Sequence, residues 1–241
     1  MPRPFCYRCR RPAITCVCAA ITPIATRTHL VFLTHPKEYR KVRVGTGRLA
    51  HLSLERSEIL VGIEFDQHPR VRALLGDAST DCRLVYPGPN GDNLSRGEYR
   101  PPPGRQPVFF LIDGTWAGAK SILRRSRLVQ ALPRVGFDVA TPSAFSIKRQ
   151  PRPECLCTLE AAHRCLTLLS EQGHEQLDAL AGHRLLEPLR RLVEIQRGYP
   201  GRRTSPRGAG RGARPPQAAM TQFSATVATR SDGCEGRRAR R

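Results

Sequence analysis

The chain has 241 residues, 39% of them hydrophobic, and forty Lys and Arg against twenty Asp and Glu give a net charge of +20. That is enough apolar material for the core of one good-sized domain, while no stretch approaches the 18 or so apolar residues that span a bilayer, so no membrane association through a spanning segment is expected. The positive excess favours a polyanionic partner such as RNA, DNA or an anionic membrane surface, and charge alone does not choose among them.

The N-terminus opens with Cys6-Tyr-Arg-Cys9 and, after a six-residue connection, Cys16-Val-Cys18. Two pairs of thiols with short internal spacing can close on one tetrahedral ion, and soft thiolates with no open position favour a structural zinc. The flanking Arg3, Arg8, Arg10 and Arg11 would make such a knuckle a basic knob suited to RNA. No secretory h-region precedes these cysteines, which predicts a cytoplasmic protein and argues against a disulfide framework for the nine cysteines. Cys82, Cys155, Cys165 and Cys234 show no second metal spacing and read as small core or loop residues.

Further along, His29 to Leu33 and Ile59 to Ile63 are short runs of branched residues that predict strands. Between them Gly45-Thr-Gly-Arg-Leu-Ala-His-Leu-Ser-Leu54 predicts a glycine turn opening a short amphipathic helix. Strand, turn and helix in succession imply crossover units and a mainly parallel sheet, hence an α/β fold. Arg83 to Tyr86 is a weaker strand, and Pro87 to Arg105, rich in Pro, Gly, Asn and Arg, predicts a long surface loop.

The most apolar run, Val108 to Ile112, predicts a strand buried on both faces. It leads directly into Asp113-Gly-Thr-Trp116 and a helical stretch from Ala117 to Leu123. An acid, a hydroxyl and the only tryptophan therefore sit at the carboxyl end of a central strand, where open α/β sheets place their ligands. Asp113 is the candidate catalytic residue, against the alternative of a helix N-cap, and Trp116 is a candidate ligand contact, against a core aromatic. His35 and His51 read as structural.

The third cluster is Ser143-Ala-Phe-Ser-Ile-Lys-Arg-Gln-Pro151, followed by Glu154-Cys-Leu-Cys-Thr-Leu-Glu-Ala161. Thr158 is expected to cap a helix carrying Leu159, Ala162, Leu166 and Leu169 at helical spacing until Gly173. With Lys148 and Arg149 before it, that start suits a carboxylate or a phosphate. A partner helix is expected from about Glu175 to Gln196, bent or restarted at Pro188. From Arg197 onward eleven Arg and two acids give a net +9 among Pro, Gly, Ser and Ala, a composition that predicts disorder.

Taken in order, the two cysteine pairs, His35-Pro-Lys-Glu38, Gly45-Thr-Gly-Arg48, Asp113-Gly-Thr-Trp116 and the segment from Lys148 through Thr158-Leu-Glu-Ala161 resemble the DTW-domain family over about residues 5 to 195. Gly45 stands where many relatives have Asn, Cys157 where they have Ser, and Lys148-Arg149 reverses their usual order. The resemblance implies a fold similar to the knotted SPOUT-like methyltransferases; with the zinc knuckle at residues 1–22 it makes 23–196 the catalytic domain, and the disordered Arg-rich tail at 197–241 lies outside it. It implies transfer of the 3-amino-3-carboxypropyl group of S-adenosylmethionine to N3 of a uridine in tRNA. Gly47, Arg48, Thr115, Trp116, Lys148, Gln150, Thr158 and Glu160 would then bind the co-substrate, and Cys6, Cys9, Cys16 and Cys18 the zinc. No obligate protein partner is implied. A SPOUT-like RNA methyltransferase and a non-catalytic zinc-containing RNA-binding module remain the alternatives from sequence.

Overall fold

The computed structural model describes residues 4–41, 45–88, 90–147, 152 and 154–198. Arg3, Lys148, Arg149, Gln150, Cys234 and the Arg-rich stretch beyond residue 198 lie outside the described residues. In the cysteine-rich segment, β1 (Phe5–Cys6) and β2 (Arg11–Pro12) form an antiparallel hairpin, followed by two 3-10 turns.

The main domain then runs through β3 (His29–Thr34), α1 (Pro36–Lys41), α2 (Thr46–Ser53), β4 (Ser57–Val61), α3 (Pro69–Gly76) and β5 (Thr80–Val85). It continues with β6 (Asp92–Asn93), β7 (Gln106–Asp113), α4 (Trp116–Arg125), α5 (Arg127–Gln130), β8 (Arg134–Gly136), α6 (Thr158–Glu171) and α7 (Ala179–Arg197). The six strands from β3 to β8 form one sheet in the order β4-β3-β7-β5-β8-β6, and every ladder in it is parallel.

The period of two along the central strands builds both cores. Leu30 and Phe32 of β3 with Phe109 and Leu111 of β7 face one cluster, closed by α2, α6 and α7. Val31 and Leu33 with Val108 and Phe110 face the other, closed by α3, α4 and α5. A strand covered on both faces must be apolar at every position, which is why β7 reads as an unbroken hydrophobic run. Val17 and Ile21, just after the cysteine hairpin, join the first cluster.

Two expectations need correction. The stretch expected as a surface loop, Pro87 to Arg105, carries the edge strand β6 and buries Leu94 and Tyr99 completely. Tyr99 meets Phe109 edge to face and donates its hydroxyl to Asp81 at 2.8 Å, so turn-forming composition here conceals a core anchor. The last helix does not begin at Glu175. Asp178 caps it by accepting from the Ala181 N–H, and the helix runs through Pro188 to Arg197. Among the described residues, no helix is long and apolar enough to cross a membrane.

Glu175 serves a different end. Its carboxylate is 4% exposed and accepts the backbone N–H groups of Arg27 and Thr28, both at 2.7 Å, and of Gln176 at 2.8 Å. It thereby pins the entry to β3 against the turn between α6 and α7. Replacing Glu175 with Ala strands those buried donors and is expected to cost about 3 kcal/mol, read as a lower urea midpoint at unchanged m value, with Glu175→Gln losing less because one acceptor remains.

Candidate functional site

The parallel register places Asp113 opposite Thr34 at the carboxyl ends of β7 and β3. Its side chain is 4% exposed. Oδ1 accepts from the Thr158 hydroxyl at 2.8 Å and from the Gly47 N–H at 3.2 Å, and the Thr34 hydroxyl approaches Oδ2 at 3.5 Å. One carboxylate thus draws together β7, β3, the first turn of α2 and the first turn of α6. A charge this deep is tolerable only when hydrogen-bonded. The arrangement also explains the glycine of Gly45-Thr-Gly-Arg48: a Cβ at residue 47 would overlap all three carboxyl atoms of Asp113.

The same geometry reassigns two helix caps. Asp113 is not the N-cap of α4. Thr115 is, its hydroxyl accepting from the Gly118 N–H at 3.2 Å, so what it retains for a ligand is the hydroxyl proton. Thr158 does not cap α6 either. Cys157 occupies the N-cap and Thr158 the first helical position, which frees the Thr158 hydroxyl for Asp113. Glu160 reaches back to the Cys157 N–H at 2.9 Å, completing a capping box. It also accepts from the Ser143 hydroxyl at 2.5 Å and the Ala144 N–H at 2.7 Å, fastening that loop to the helix.

Trp116 is not a core aromatic. It is 37% exposed at the head of α4, with its ring centre 6.3 Å from that of Tyr86, which follows β5. The guanidinium of Arg134 lies over the other ring at 5.7 Å. Two accessible rings beside the carboxyl ends of β5 and β7 suit a flat heteroaromatic ligand. Tyr86 and Arg134 carry no motif, and only the sheet order brings them to Trp116.

A small cleft opens at Asp113 and is lined by Arg10, Thr34, Glu38, Tyr39 and Arg48 among others. Arg48 lies over the Tyr39 ring at 4.7 Å and keeps Nη2 buried without a hydrogen-bond partner among the described residues. The adjacent Arg48 guanidinium, with Arg10 behind it, lowers the Tyr39 phenol below its ordinary range. Tyr39 was also silent in the sequence. Of the two histidines read as structural, His35 Nδ1 accepts from the Lys37 N–H at 3.2 Å, and His51 Nδ1 pairs with the Ser57 hydroxyl at 3.0 Å.

Cys6, Cys9, Cys16 and Cys18 converge, with all four sulfur atoms within 4.8 Å of one another. Cys6 and Cys18 stand 3.6 Å apart and Cys9 and Cys16 3.7 Å, close to the roughly 3.8 Å edge of a tetrahedron with Zn–S bonds of about 2.3 Å. The Cys9 N–H holds the Cys6 thiol down at about 6, whereas burial raises Cys18. The donor set fits a closed structural zinc site. Cys155 and Cys165 are buried and Cys82 half-buried, as small core thiols are.

A family model described as DTW domain matches residues 3–197. The Mus musculus protein named tRNA-uridine aminocarboxypropyltransferase 2 is 30% identical over 197 residues, covering 80% of this chain and 64% of the mouse protein. Its Macaca fascicularis namesake is 31% identical over 202 residues with the same coverage, and the Drosophila melanogaster one 30% over 198, covering 79% and 74%. The chain therefore spans just under two thirds of the length of the two mammalian relatives. No solved structure matches it.

Two outcomes are expected of the site. Purified protein should contain about one zinc per chain, and Cys16→Ser should lose it together with stability; active, freshly purified protein without metal would contradict this. Gly47→Ala forces Asp113 from its place and should lower thermal stability, opposite in sign to the roughly 1 kcal/mol gain that an ordinary exposed helical Gly→Ala brings.

Proposed function

Because the chain belongs to the DTW domain family, whose model takes in residues 3–197, we propose that it is an S-adenosylmethionine-dependent tRNA-uridine aminocarboxypropyltransferase. It transfers the 3-amino-3-carboxypropyl group to N3 of a uridine in tRNA and releases methylthioadenosine. The observation that carries the reading is a carboxylate on the wall of a cleft that also holds Arg10 and Arg48, at the carboxyl end of the central strand, in a chain of net charge +20 whose relatives bear that name. A SPOUT-like, knotted fold belongs to the same reading on resemblance, and the parallel sheet with helices on both faces is compatible with it.

When bound, S-adenosylmethionine supplies a sulfonium that is electrophilic at three carbons, and the site selects among them by which carbon it holds in line with the attacking nitrogen. The N3–carbon bond forms as the carbon–sulfur bond breaks, and sulfur keeps the electron pair. Asp113 accepts or orients the N3 proton, a role supported by its place on the cleft wall and by the bonds from Thr158 and Gly47 that fix its plane. Trp116 and Tyr86 cover the adenine, and Thr115 offers its hydroxyl proton. Glu160 acts by holding the Ser143 loop in position, since its oxygens already accept from that loop and from Cys157. Lys148 and Gln150 are assigned to the co-substrate on resemblance alone. The four cysteines hold zinc as a structural centre.

Incubation with unmodified tRNA and S-adenosylmethionine labelled in either the methyl or the carboxyl carbon tests the proposal. Carboxyl label in the RNA, with methylthioadenosine released, is expected. Methyl label would make the protein a methyltransferase, and neither label with tRNA still bound would make it a binding module. Asp113→Asn keeps an acceptor for Gly47 and Thr158 while removing the charge, so the fold should persist and the transfer rate fall by about 10²-fold or more. A near-normal rate would end the role of Asp113 in proton transfer.

A further inference from the structure

Arg10 adopts φ of 56°, in the left-handed region, directly after the second cysteine of the hairpin. Glycine satisfies such a turn without steric cost, whereas an arginine there is held against its preference. The side chain is therefore retained at a conformational penalty, and its destination gives a reason. Its guanidinium lies 4.7 Å from the centre of the Tyr39 ring, the same distance as that of Arg48.

Two guanidiniums drawn to one phenol repel each other unless an anion lies between or beside them. Arg48 also carries a buried Nη2, a donor that lacks an acceptor among the described residues. Glu38 and Asp113 line the same cleft, but both are buried and already partnered, Asp113 by Thr158 and Gly47. Arg10 projects from a hairpin whose neighbouring Tyr7 and Arg8 face solvent, Tyr7 at 84% exposure and edge to face with Phe5. Exposed aromatic and basic side chains on one small element suit a nucleic-acid strand better than a small molecule.

We propose that Arg10 and Arg48, gathered on Tyr39, form a clamp for one backbone phosphodiester of the RNA beside the reacting uridine, which makes the cysteine hairpin a wall of the active cleft. The clamp rests on the tRNA-modifying function proposed above. It binds an oxyanion that could instead be the carboxylate of the methionyl group, and the two sources separate by experiment.

Arg10→Gly and Arg48→Gln serve as variants of the full chain. Arg10→Gly relieves the left-handed turn, so its zinc content and thermal midpoint should equal or exceed those of the unmodified protein. Its affinity for tRNA should fall severalfold, and the slope of log K against log salt should shrink by about 0.7 to 0.9, the signature of one lost phosphate contact. Arg48→Gln should do the same, and carries the test alone if Arg10→Gly loses metal. Affinity for S-adenosylmethionine, followed by the fluorescence of the single tryptophan, should not change in Arg10→Gly. An unchanged salt slope in both variants overturns the clamp, as does weakened S-adenosylmethionine binding with the slope intact, which would assign the pair to the methionyl carboxylate. Failure of the unmodified protein to bind tRNA at all would remove the proposed function, and the clamp with it.

Discussion

A single buried carboxylate sets the geometry of the whole carboxyl edge of the sheet. Asp113 ends the strand that lies between β3 and β5, and its bonds reach the Thr158 hydroxyl on α6 and the Gly47 N–H on α2, with Thr34 of β3 alongside. Moving such a charge out of water is unfavourable, and removing any one partner leaves the remainder poorly compensated. Several details that look separate follow from it. Residue 47 must be glycine to let the carboxylate approach, Thr158 must stand one position inside the helix rather than at its cap, and Cys157 and Glu160 take over the capping.

The cysteine hairpin extends this arrangement rather than standing apart from it. Val17 and Ile21 are built into the core beneath α2, α6 and α7, and Cys9 and Arg10 line the cleft that Asp113 opens into. A metal at the four thiols would fix the hairpin turn and therefore the position of Arg10. The buried guanidinium of Arg11, 2% exposed and close enough to Cys9, Cys16 and Cys18 to feel their charge, gives the hairpin an internal cation that a tetrathiolate centre would offset. The cysteine cluster and the cleft are thus continuous through the consecutive residues Cys9, Arg10 and Arg11.

How much of this was legible in the sequence depended on whether a residue acts through its neighbours in the chain. The central strand and α2 declared themselves through an unbroken apolar run and through helical spacing after a glycine turn. The four cysteines declared themselves by spacing, and Asp113 by its place after the strand. Tyr99 and Leu94 did not, because they sit in a stretch whose Pro and Gly content signals turns while their packing partners lie elsewhere. Nor did Glu175, whose main acceptance is from Arg27 and Thr28, almost 150 residues away. The caps were misread for a related reason: Thr158 is a good capping residue, and only the distant Asp113 competes for its hydroxyl. Tyr39, Tyr86 and Arg134 belong to no motif, and their roles follow from sheet order and from the placement of the hairpin.

The central claim is that Asp113 acts as one coupled clamp with Thr158, and a double-mutant cycle tests it most directly. Stability of Asp113→Ala, Thr158→Val and the combined variant, each of which removes the contact, would be measured by urea unfolding, alongside the single-turnover rate of transfer. A coupling energy of about 1 kcal/mol or more in stability, with the double variant no slower than the worse single one, is the predicted result. Additive effects on both quantities would contradict it and would make the Asp113–Thr158 contact incidental to fold and site alike.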